Sequence, residues 1–251
     1  METYAVINQK GGVGKTTTAH ALGAALGLRG AGKPSVLFVD LDPQANLTQT
    51  LSASSDLPGA LEVILREASL ADAVQRCALG GVLASRPALA GADALITETG
   101  KEYRLREALE SAEYDYCIID TPPALGVLTI NALTACNAAI VPAQADVYSV
   151  RGIEQLSGTI DVVRRYCNPK LRVDGILLTR FNERTVISRD IADTIARLAA
   201  RLNTRLYSAR IRENVAVRES QLQHIDIFSY APRSNAAQDY SKFVEEVIKN
   251  G

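Results

Sequence analysis

The chain carries a glycine-rich run with two lysines close to its start. Residues 8–23 read NQKGGVGKTTTAHALG. The glycines let backbone N–H groups approach phosphate oxygens, and a helix that follows adds the positive end of its dipole. Lys15 is placed to bridge the β and γ phosphates of a nucleotide, and the Thr16 hydroxyl is placed to bind Mg²⁺. Lys10 is a second lysine at the front of the loop, where it cannot easily reach the same phosphates from its own chain.

Two further runs each place carboxylates at the end of an apolar stretch. VLFVDLDPQANLT contains Asp40 and Asp42, and YDYCIIDTPPALG contains Asp120. The carboxyl ends of parallel strands form the ligand crevice of an open sheet, so these side chains are expected beside the loop. Asp120 fits an aspartate that holds Mg²⁺ through water; of the other two, one can act on the Mg²⁺ sphere and one can orient an attacking water. Asp42 followed by Pro43 is also typical of a simple turn.

Short β-rich runs alternate with longer helical patterns along the chain. Several of these runs are almost wholly apolar, which is typical of strands covered on both faces of a parallel sheet. The alternation predicts an α/β fold with a doubly wound, mainly parallel sheet flanked by helices. The predicted strands are Tyr4–Asn8, Val36–Asp40, Val82–Ser85, Tyr116–Asp120, Ala138–Pro142, Val173–Thr179 and Arg205–Ala209. The predicted helices are Thr16–Leu28, Leu57–Arg76, Tyr103–Ala112, Leu125–Ala135, Val150–Tyr166, Ser188–Leu202 and Ser234–Lys249. Gly30, Gly32 and Pro34 are expected to end the first helix.

The composition favours one sizeable domain and excludes some classes of protein. The chain has 251 residues, of which 47% are hydrophobic and 22% charged, and its formal net charge is −1. The chain as a whole is therefore not a basic nucleic-acid binder, so any such surface must be local. No apolar run reaches the roughly 18 residues of a membrane span, and the cysteines form no C-x-x-C pair. We expect a cytoplasmic protein with one domain over residues 1–251, and no helix-turn-helix module in the few residues before the loop.

Three motifs together resemble those of the deviant Walker A ATPases, a class of P-loop NTPases. They are K-G-G-V-G-K-T (Lys10–Thr16), V-D-L-D-P-Q-x-N (Val39–Asn46) and I-I-D-T-P-P (Ile118–Pro123). More narrowly, they resemble the ParA/Soj partition ATPases of the MinD/ParA superfamily. The segments AAIVPAQADVYSVRG (138–152) and APRSNAAQDYSKFVEEVI (231–248) extend the resemblance over nearly the whole chain, and residues 52–115 carry it least.

The resemblance implies ATP and Mg²⁺ as cofactors and an ATP-bound homodimer that encloses the nucleotides. In such a dimer Lys10 reaches the nucleotide of the partner, much as an arginine finger supplied in trans does. The resemblance also implies that Asp42 positions the hydrolytic water and that Asp40 supports the Mg²⁺ sphere. It carries adenine contacts over to Asn182 and to the residues around Pro232. The candidate sets are Lys10, Lys15 and Asp42 for catalysis, Gly11, Gly12, Val13, Gly14, Lys15, Thr16, Thr17, Asn182 and Pro232 for the nucleotide, and Thr16, Asp40 and Asp120 for the metal.

A basic segment lies in the last third of the chain. Residues 180–218 contain nine arginines, no lysine and four acidic residues. A local basic field is typical of DNA-backbone binding, although a solvated helix face explains Arg189, Arg197 and Arg201 equally well. The resemblance favours DNA, because ParA/Soj ATPases bind DNA without sequence preference as ATP dimers.

One departure from the family pattern falls in this segment. The family's usual NVRLxEAPS reads Asn214-Val-Ala-Val-Arg-Glu-Ser here, so Ala216 holds the aligned basic position and an arginine follows at Arg218. In a strand, a shift of two residues restores the same face, whereas in a helix it does not. We expect Arg210 and Arg218 to contact DNA.

Together these patterns predict an ATP-dependent DNA partition ATPase that associates with the nucleoid. It would hydrolyse ATP slowly under the control of a ParB-like centromere-binding protein. The main alternative is a MinD-like or other positioning ATPase for a membrane or large-assembly cargo. A MinD-type protein ends in a basic amphipathic helix, whereas this chain ends YSKFVEEVIKNG, so no membrane partner is expected. An iron–sulfur carrier is disfavoured because no cysteine pair has a bridging spacing.

Overall fold

Strands and helices alternate along most of the chain. The structure, a computed structural model, describes residues 1–29 and 35–249. The strands are β1 (Glu2–Val6), β2 (Val36–Asp40), β3 (Val74–Cys77), β4 (Gly80–Leu83), β5 (Tyr116–Asp120), β6 (Ala138–Gln144), β7 (Arg172–Thr179) and β8 (Leu206–Ile211). The helices are α1 (Lys15–Gly27), α2 (Asn46–Thr50), α3 (Ala60–Leu65), α4 (Leu70–Ala73), α5 (Ala92–Leu95), α6 (Arg104–Leu109), α7 (Val127–Ala135), α8 (Val147–Tyr166), α9 (Val186–Arg201), α10 (Val215–Leu222), α11 (Ile227–Tyr230) and α12 (Asn235–Ile248), with 3₁₀ turns at Pro87–Gly91 and Lys101–Tyr103. The helix end expected at Gly30, Gly32 and Pro34 lies outside the described residues.

The strands form one eight-stranded sheet in the order β3-β4-β2-β5-β1-β6-β7-β8. Neighbouring strands run parallel except β3 and β4, which are antiparallel. The predicted doubly wound, mainly parallel α/β fold is therefore confirmed. In the register of the sheet, Asp120 lies beside both Val6 and Asp40. The carboxyl ends of β1, β2 and β5 are therefore level with one another, and the segments that follow them share one edge of the sheet.

Successive residues of the central strands pack into two different cores. Ala5 and Leu37 belong to the core on one face, and Tyr4 and Phe38 belong to the core on the other. All four side chains are buried. Because both faces are covered, the strands contain apolar residues at nearly every position, which is why their sequences lack a polar–apolar alternation.

A glycine lets α1 approach β2 closely. A Cβ atom on Gly23 would lie 2.2 Å from Cε1 of Phe38, whose side chain is fully buried. Interiors of this density do not accept an extra methyl group without displacement of the neighbours. Gly23 therefore sets the height of α1 over the sheet, and with it the position of the loop that precedes the helix.

The stretch after residue 57 differs from the prediction. The single helix expected over Leu57–Arg76 is wrong, because the chain forms α3, α4 and then β3, which pairs with β4 at the sheet edge. Arg66 ends α3 in the left-handed region with a φ of 63°. The Ser69 side chain then caps α4 by accepting a hydrogen bond from the backbone N–H of Asp72 at 3.2 Å. The helix end at Arg66 and the new helix start at Ser69 divide a segment whose composition favours helix throughout.

Candidate nucleotide-binding site

The glycine-rich loop connects β1 to α1 at the carboxyl edge of the sheet. Gly12 and Gly14 have φ values of 74° and 86°, in the left-handed region that glycine adopts readily. The helix begins at Lys15, one residue before the predicted start. Lys15 is only 7% exposed, and its Nζ donates to the backbone oxygen of Lys10 at 3.3 Å. The Lys15 side chain thus folds back over the loop, where an ammonium group can contact phosphates held by loop N–H groups.

A cavity of about 790 Å³ lies over this loop. Its volume is in the range of small-molecule sites. A Cβ atom built on Gly11 or Gly12 would meet nothing within 4 Å, so the glycines leave the floor of the cavity open. The predicted nucleotide-binding residues that line it are Gly11, Gly12, Gly14, Lys15, Thr16 and Thr17.

Thr16 and Asp120 form the part of the site that fits Mg²⁺. The Thr16 hydroxyl donates to Oδ2 of Asp120 at 2.6 Å, while Oδ1 of Asp120 is buried without a hydrogen-bond partner among the described residues. Burial, and next the charge of Asp40, raise the pKa of Asp120 well above its usual range. A buried, orphaned carboxylate oxygen beside a hydroxyl suits a hydrated cation. When bound, Mg²⁺ neutralises charge that develops on phosphate oxygens.

The two aspartates at the end of β2 have different surroundings. Asp40 is fully buried and accepts hydrogen bonds from the backbone N–H and the hydroxyl of Thr48, both at 2.8 Å, and from the backbone N–H of Asp42 at 3.1 Å. Burial raises the pKa of Asp40 to about 6, although these hydrogen bonds act in the opposite direction. Asp42 lines the cavity, and its Oδ1 accepts from the backbone N–H of Gln44 at 3.0 Å. Asp42 therefore has access to a water beside the nucleotide, while Asp40 holds the turn into α2.

Lys10 turns away from the cavity. Its Nζ forms an ion pair with Asp146 and donates to Oε1 of Gln144 at 3.3 Å. Asp146 in turn caps α8 by accepting a hydrogen bond from the backbone N–H of Ser149 at 2.9 Å. The Lys10 side chain is 35% exposed. The two loop lysines thus point in different directions, with Lys15 over the loop and Lys10 at the rim of the site.

A second cavity, of about 90 Å³, continues from the first between α1 and α10. Five residues line both cavities: Gly14, Thr17, Arg180, Arg218 and Gln221. The side-chain amide of Gln221 donates to the Thr17 hydroxyl at 3.0 Å and so joins α10 to the first turn of α1. The fully buried Val13 also lines this second cavity. Gln221 lies in no motif that predicts a site residue, and Arg218 was predicted only as a DNA contact.

Comparison with known proteins agrees with this geometry. The AAA_31 family model, described as an AAA domain, matches residues 1–173. The chain is 36% identical over 254 residues to the sporulation initiation inhibitor protein Soj of Bacillus subtilis, with 98% of each chain covered. It is also 36% identical over 257 residues to the chromosome partitioning protein ParA of Caulobacter vibrioides, covering 99% of this chain and 94% of the relative. The chain belongs to the ParA/Soj family of P-loop ATPases.

A solved structure supports the cofactors of this ParA/Soj chain. The structure of cobyrinic acid a,c-diamide synthase from Mycobacterium smegmatis with bound ADP and magnesium is 36% identical and has a TM-score of 0.84. The match covers 100% of this chain and 95% of that one. The predicted ParA/Soj resemblance, the ATPase activity and the use of ATP with Mg²⁺ are therefore confirmed.

Two predicted adenine contacts of the ParA/Soj chain lie outside both cavities. Asn182 and Pro232 are exposed. The side-chain oxygen of Asn182 accepts a hydrogen bond from the backbone N–H of Arg184 at 3.1 Å and closes a local turn. Neither residue lines the two cavities, and their contact with adenine stays a prediction.

The two predicted DNA contacts lie in different surroundings. Arg210 folds back along β8, where it donates to the backbone oxygens of Tyr207 and Ala209, and its guanidinium lies 5.9 Å from the centre of the Phe181 ring. Burial lowers the pKa of Arg210. A half-buried arginine that is bonded to its own strand has little reach toward a DNA backbone, so its predicted role stays untested.

The segment NVAVRES, where this chain departs from the family pattern, begins α10 and does not form a strand. Ala216 and Arg218 are two residues apart in this helix, so their side chains point to different faces. Ala216 is buried, whereas Arg218 is exposed and lines the nucleotide cavities. The shift of the arginine by two residues therefore does not restore the family's basic position, and it places a cation beside the nucleotide site.

Within residues 1–29 and 35–249, no helix is both long enough and apolar enough to cross a membrane.

Proposed function

We propose that this chain is a DNA-partition ATPase that forms a homodimer around ATP and binds DNA without sequence preference. The observation that carries the proposal is the position of Lys10, which lies at the rim of the nucleotide cavity and points away from it. A lysine so placed can serve a nucleotide held by a second copy of the chain. Relatives named for chromosome partitioning share nearly the full length of the chain, which supports the same role here.

Exposed apolar side chains around the site support a second copy as the covering surface. Val147 and Tyr148, directly after the Lys10 partner Asp146, are 69% and 81% exposed. Leu222, on the cavity wall, is 77% exposed. Apolar groups clustered at a polar site are typical of an interface. A second copy that covers them would exclude water from the nucleotides and strengthen each charge interaction inside.

Within such a dimer the site residues have separate roles. Lys15 binds the phosphates of its own nucleotide, and Asp42 orients the water for in-line attack. The partner's Lys10 stabilises the negative charge of the transition state. Because the site is complete only when two copies meet over ATP, hydrolysis of ATP should destabilise the dimer. The membership of the ParA/Soj family supports a slow ATPase that is stimulated by a ParB-like centromere-binding protein.

Exposed arginines around α9 are candidates for DNA contact. Arg184, Arg189 and Arg197 are exposed, and none of them pairs with an acidic side chain in the part of the chain that the structure describes. Exposed guanidinium groups without a carboxylate partner are suited to phosphate contacts that read no sequence. A dimer would double their number, so DNA binding and nucleoid association are expected of the ATP-bound dimer.

The C-terminal helix gives no support to a membrane-bound relative. Phe243, Val244 and Val247 of α12 are buried in the core shared with α1 and β8. An apolar face that already packs on the protein is not available to a lipid surface.

DNA retention measured with ATP, with ADP and without nucleotide tests the proposal. Binding only with ATP, weakening as salt rises from about 50 to 200 mM, is the expected result. Lys15→Ala is the matched control, because it should lose nucleotide-dependent retention. Absence of DNA binding in every nucleotide state would overturn the DNA part of the proposal and favour a positioning ATPase with another cargo.

A further inference from the structure

An arginine of α10 lies on the wall of the nucleotide site. Arg218 lines both cavities together with Gly14 and Thr17, the residues that flank the Lys15–Thr16 pair. Asp42 lines only the larger cavity. Arg218 is therefore located where the phosphate loop turns into α1, and it reaches a part of the site that Asp42 does not line.

The orientation of Arg218 follows from how α10 is fixed. The Asn214 side chain caps the helix by accepting a hydrogen bond from the backbone N–H of Ala216 at 2.9 Å. Three residues after Arg218, Gln221 donates to the Thr17 hydroxyl at 3.0 Å. Residues three apart in a helix share a face, so the bond that docks Gln221 onto α1 also directs Arg218 toward the loop.

The charge of Arg218 has no protein partner among the residues that the structure describes. Two arginines close to Arg218 along the chain are neutralised, since Arg205 pairs with Asp174 and Arg212 pairs with Asp239. By contrast, the Arg218 guanidinium forms no ion pair or side-chain hydrogen bond with any residue in the described ranges 1–29 and 35–249. A planar guanidinium matches phosphate oxygens in geometry as well as in charge.

We infer that Arg218 binds the α and β phosphates of the nucleotide held by its own chain. This inference rests on the proposed function for nucleotide binding, and it assigns to the bound nucleotide an arginine whose sequence context suggested DNA. The contact is made in cis, so it is independent of dimerisation. It also does not require the γ-phosphate, so ADP and ATP should both depend on it.

Calorimetric titration of ADP, and of a non-hydrolysable ATP analogue, with Mg²⁺ and without DNA tests the inference. Arg218→Gln should weaken both nucleotides about tenfold or more, as expected for loss of a charge-assisted hydrogen bond. Arg218→Lys should recover part of the affinity, because it restores the charge without the planar fork. Arg165→Gln, at an exposed arginine of α8 that lines neither cavity, is the matched control and should bind as the wild type does.

The outcomes separate this inference from the proposed function. Unchanged ADP affinity in Arg218→Gln would overturn the inference, and so would a loss confined to the ATP analogue. Wild-type chain that binds neither nucleotide would overturn both proposals. Wild-type chain that binds nucleotide normally but never binds DNA would overturn only the partition function.

Discussion

Lys10 and Asp146 of the same chain form an ion pair at the rim of the nucleotide site. Burial alone would raise the pKa of Asp146, but hydrogen bonds from Lys10 and from the backbone N–H of Ser149 outweigh it and lower the pKa. Asp146 is therefore ionised at neutral pH and holds the lysine in cis. If Lys10 serves the partner's nucleotide, its cis contact competes with dimer formation.

Asp146→Asn should promote ATP-dependent dimerisation. The substitution removes the charge that holds Lys10, while asparagine still caps α8. A partly exposed ion pair contributes about 1 kcal/mol or less, so the dimer should form at a few-fold lower protein concentration. Sedimentation across a range of protein concentrations, with ATP and with ADP, measures the shift.

Lys10→Ala tests the same competition by removing the lysine in place of its partner Asp146. This variant should keep ATP binding by the monomer through Lys15 and lose the ATP-dependent dimer. A dimer of wild-type strength in Lys10→Ala would exclude a role for Lys10 in trans, and the proposed competition with Asp146 would then have no basis.

Local patterns were sufficient to predict most of the central sheet. The bounds of β2 and β5 were predicted correctly, because each is a buried apolar run that ends in an aspartate. By contrast, β3 has the sequence VQRC, which has little apolar content, and it becomes a strand only by pairing with β4 at the sheet edge. Its strand conformation depends on that tertiary contact and not on local propensity.

In the candidate site, too, features within one local motif could be predicted, whereas contacts between distant residues could not. Lys15 and Thr16 lie in one contiguous motif, so their placement over the loop followed from sequence. The contact between Lys10 and Asp146 joins residues 136 positions apart, and that between Thr17 and Gln221 joins residues 204 apart. No local signal links such residues, and the orientation of a helix such as α10 is decided by the surface on which it docks.

Asp120→Asn should raise the Mg²⁺ concentration that ATP turnover requires. Asp120 accepts a hydrogen bond from the Thr16 hydroxyl, and its other carboxylate oxygen has no partner in the described part of the chain, so that oxygen is available to a cation. Loss of a residue that holds a metal through water reduces affinity or activity by about 10- to 100-fold. ATPase rates measured against Mg²⁺ concentration should show the shift, with partial recovery at high Mg²⁺.

Asp40→Asn is the matched control for that measurement. Asp40 accepts its hydrogen bonds from Thr48 and Asp42, so the variant should lower the free energy of unfolding by about 1–3 kcal/mol. It should change the Mg²⁺ dependence less than Asp120→Asn does, because Asp40 acts on Asp120 through its charge. A Mg²⁺ shift as large as that of Asp120→Asn would show that Asp40 belongs to the metal sphere, as the family resemblance implied.

His20 should make the protein less stable in mild acid. Burial lowers the pKa of His20 from 6.5 to about 4, although Asp226 acts in the opposite direction. Between these values the unfolded chain binds a proton that the folded chain does not, so the stabilisation is present above about pH 6.5 and is lost as the pH falls toward 4. The full difference corresponds to about 3 kcal/mol.

Urea unfolding at about pH 7.5 and pH 5.5 measures this effect. The wild type should lose about 1 kcal/mol more than His20→Gln over that interval. The other histidine, His224, is exposed, so His224→Gln should keep the wild-type dependence. Equal pH dependence in His20→Gln and the wild type would assign the acid sensitivity to groups other than His20.

Gly23→Ala should destabilise the fold, because the new methyl group would lie 2.2 Å from the buried ring of Phe38. Overpacking of this kind costs about 1–3 kcal/mol. Gly152→Ala provides the same substitution in α8, where a Cβ atom meets nothing within 4 Å, and there alanine should add up to about 1 kcal/mol through its higher helix propensity. Thermal or urea unfolding of the pair gives effects of opposite sign if the close approach of α1 to β2 is a packing constraint. A stabilising effect at both positions would mean that α1 has room to move away from the sheet.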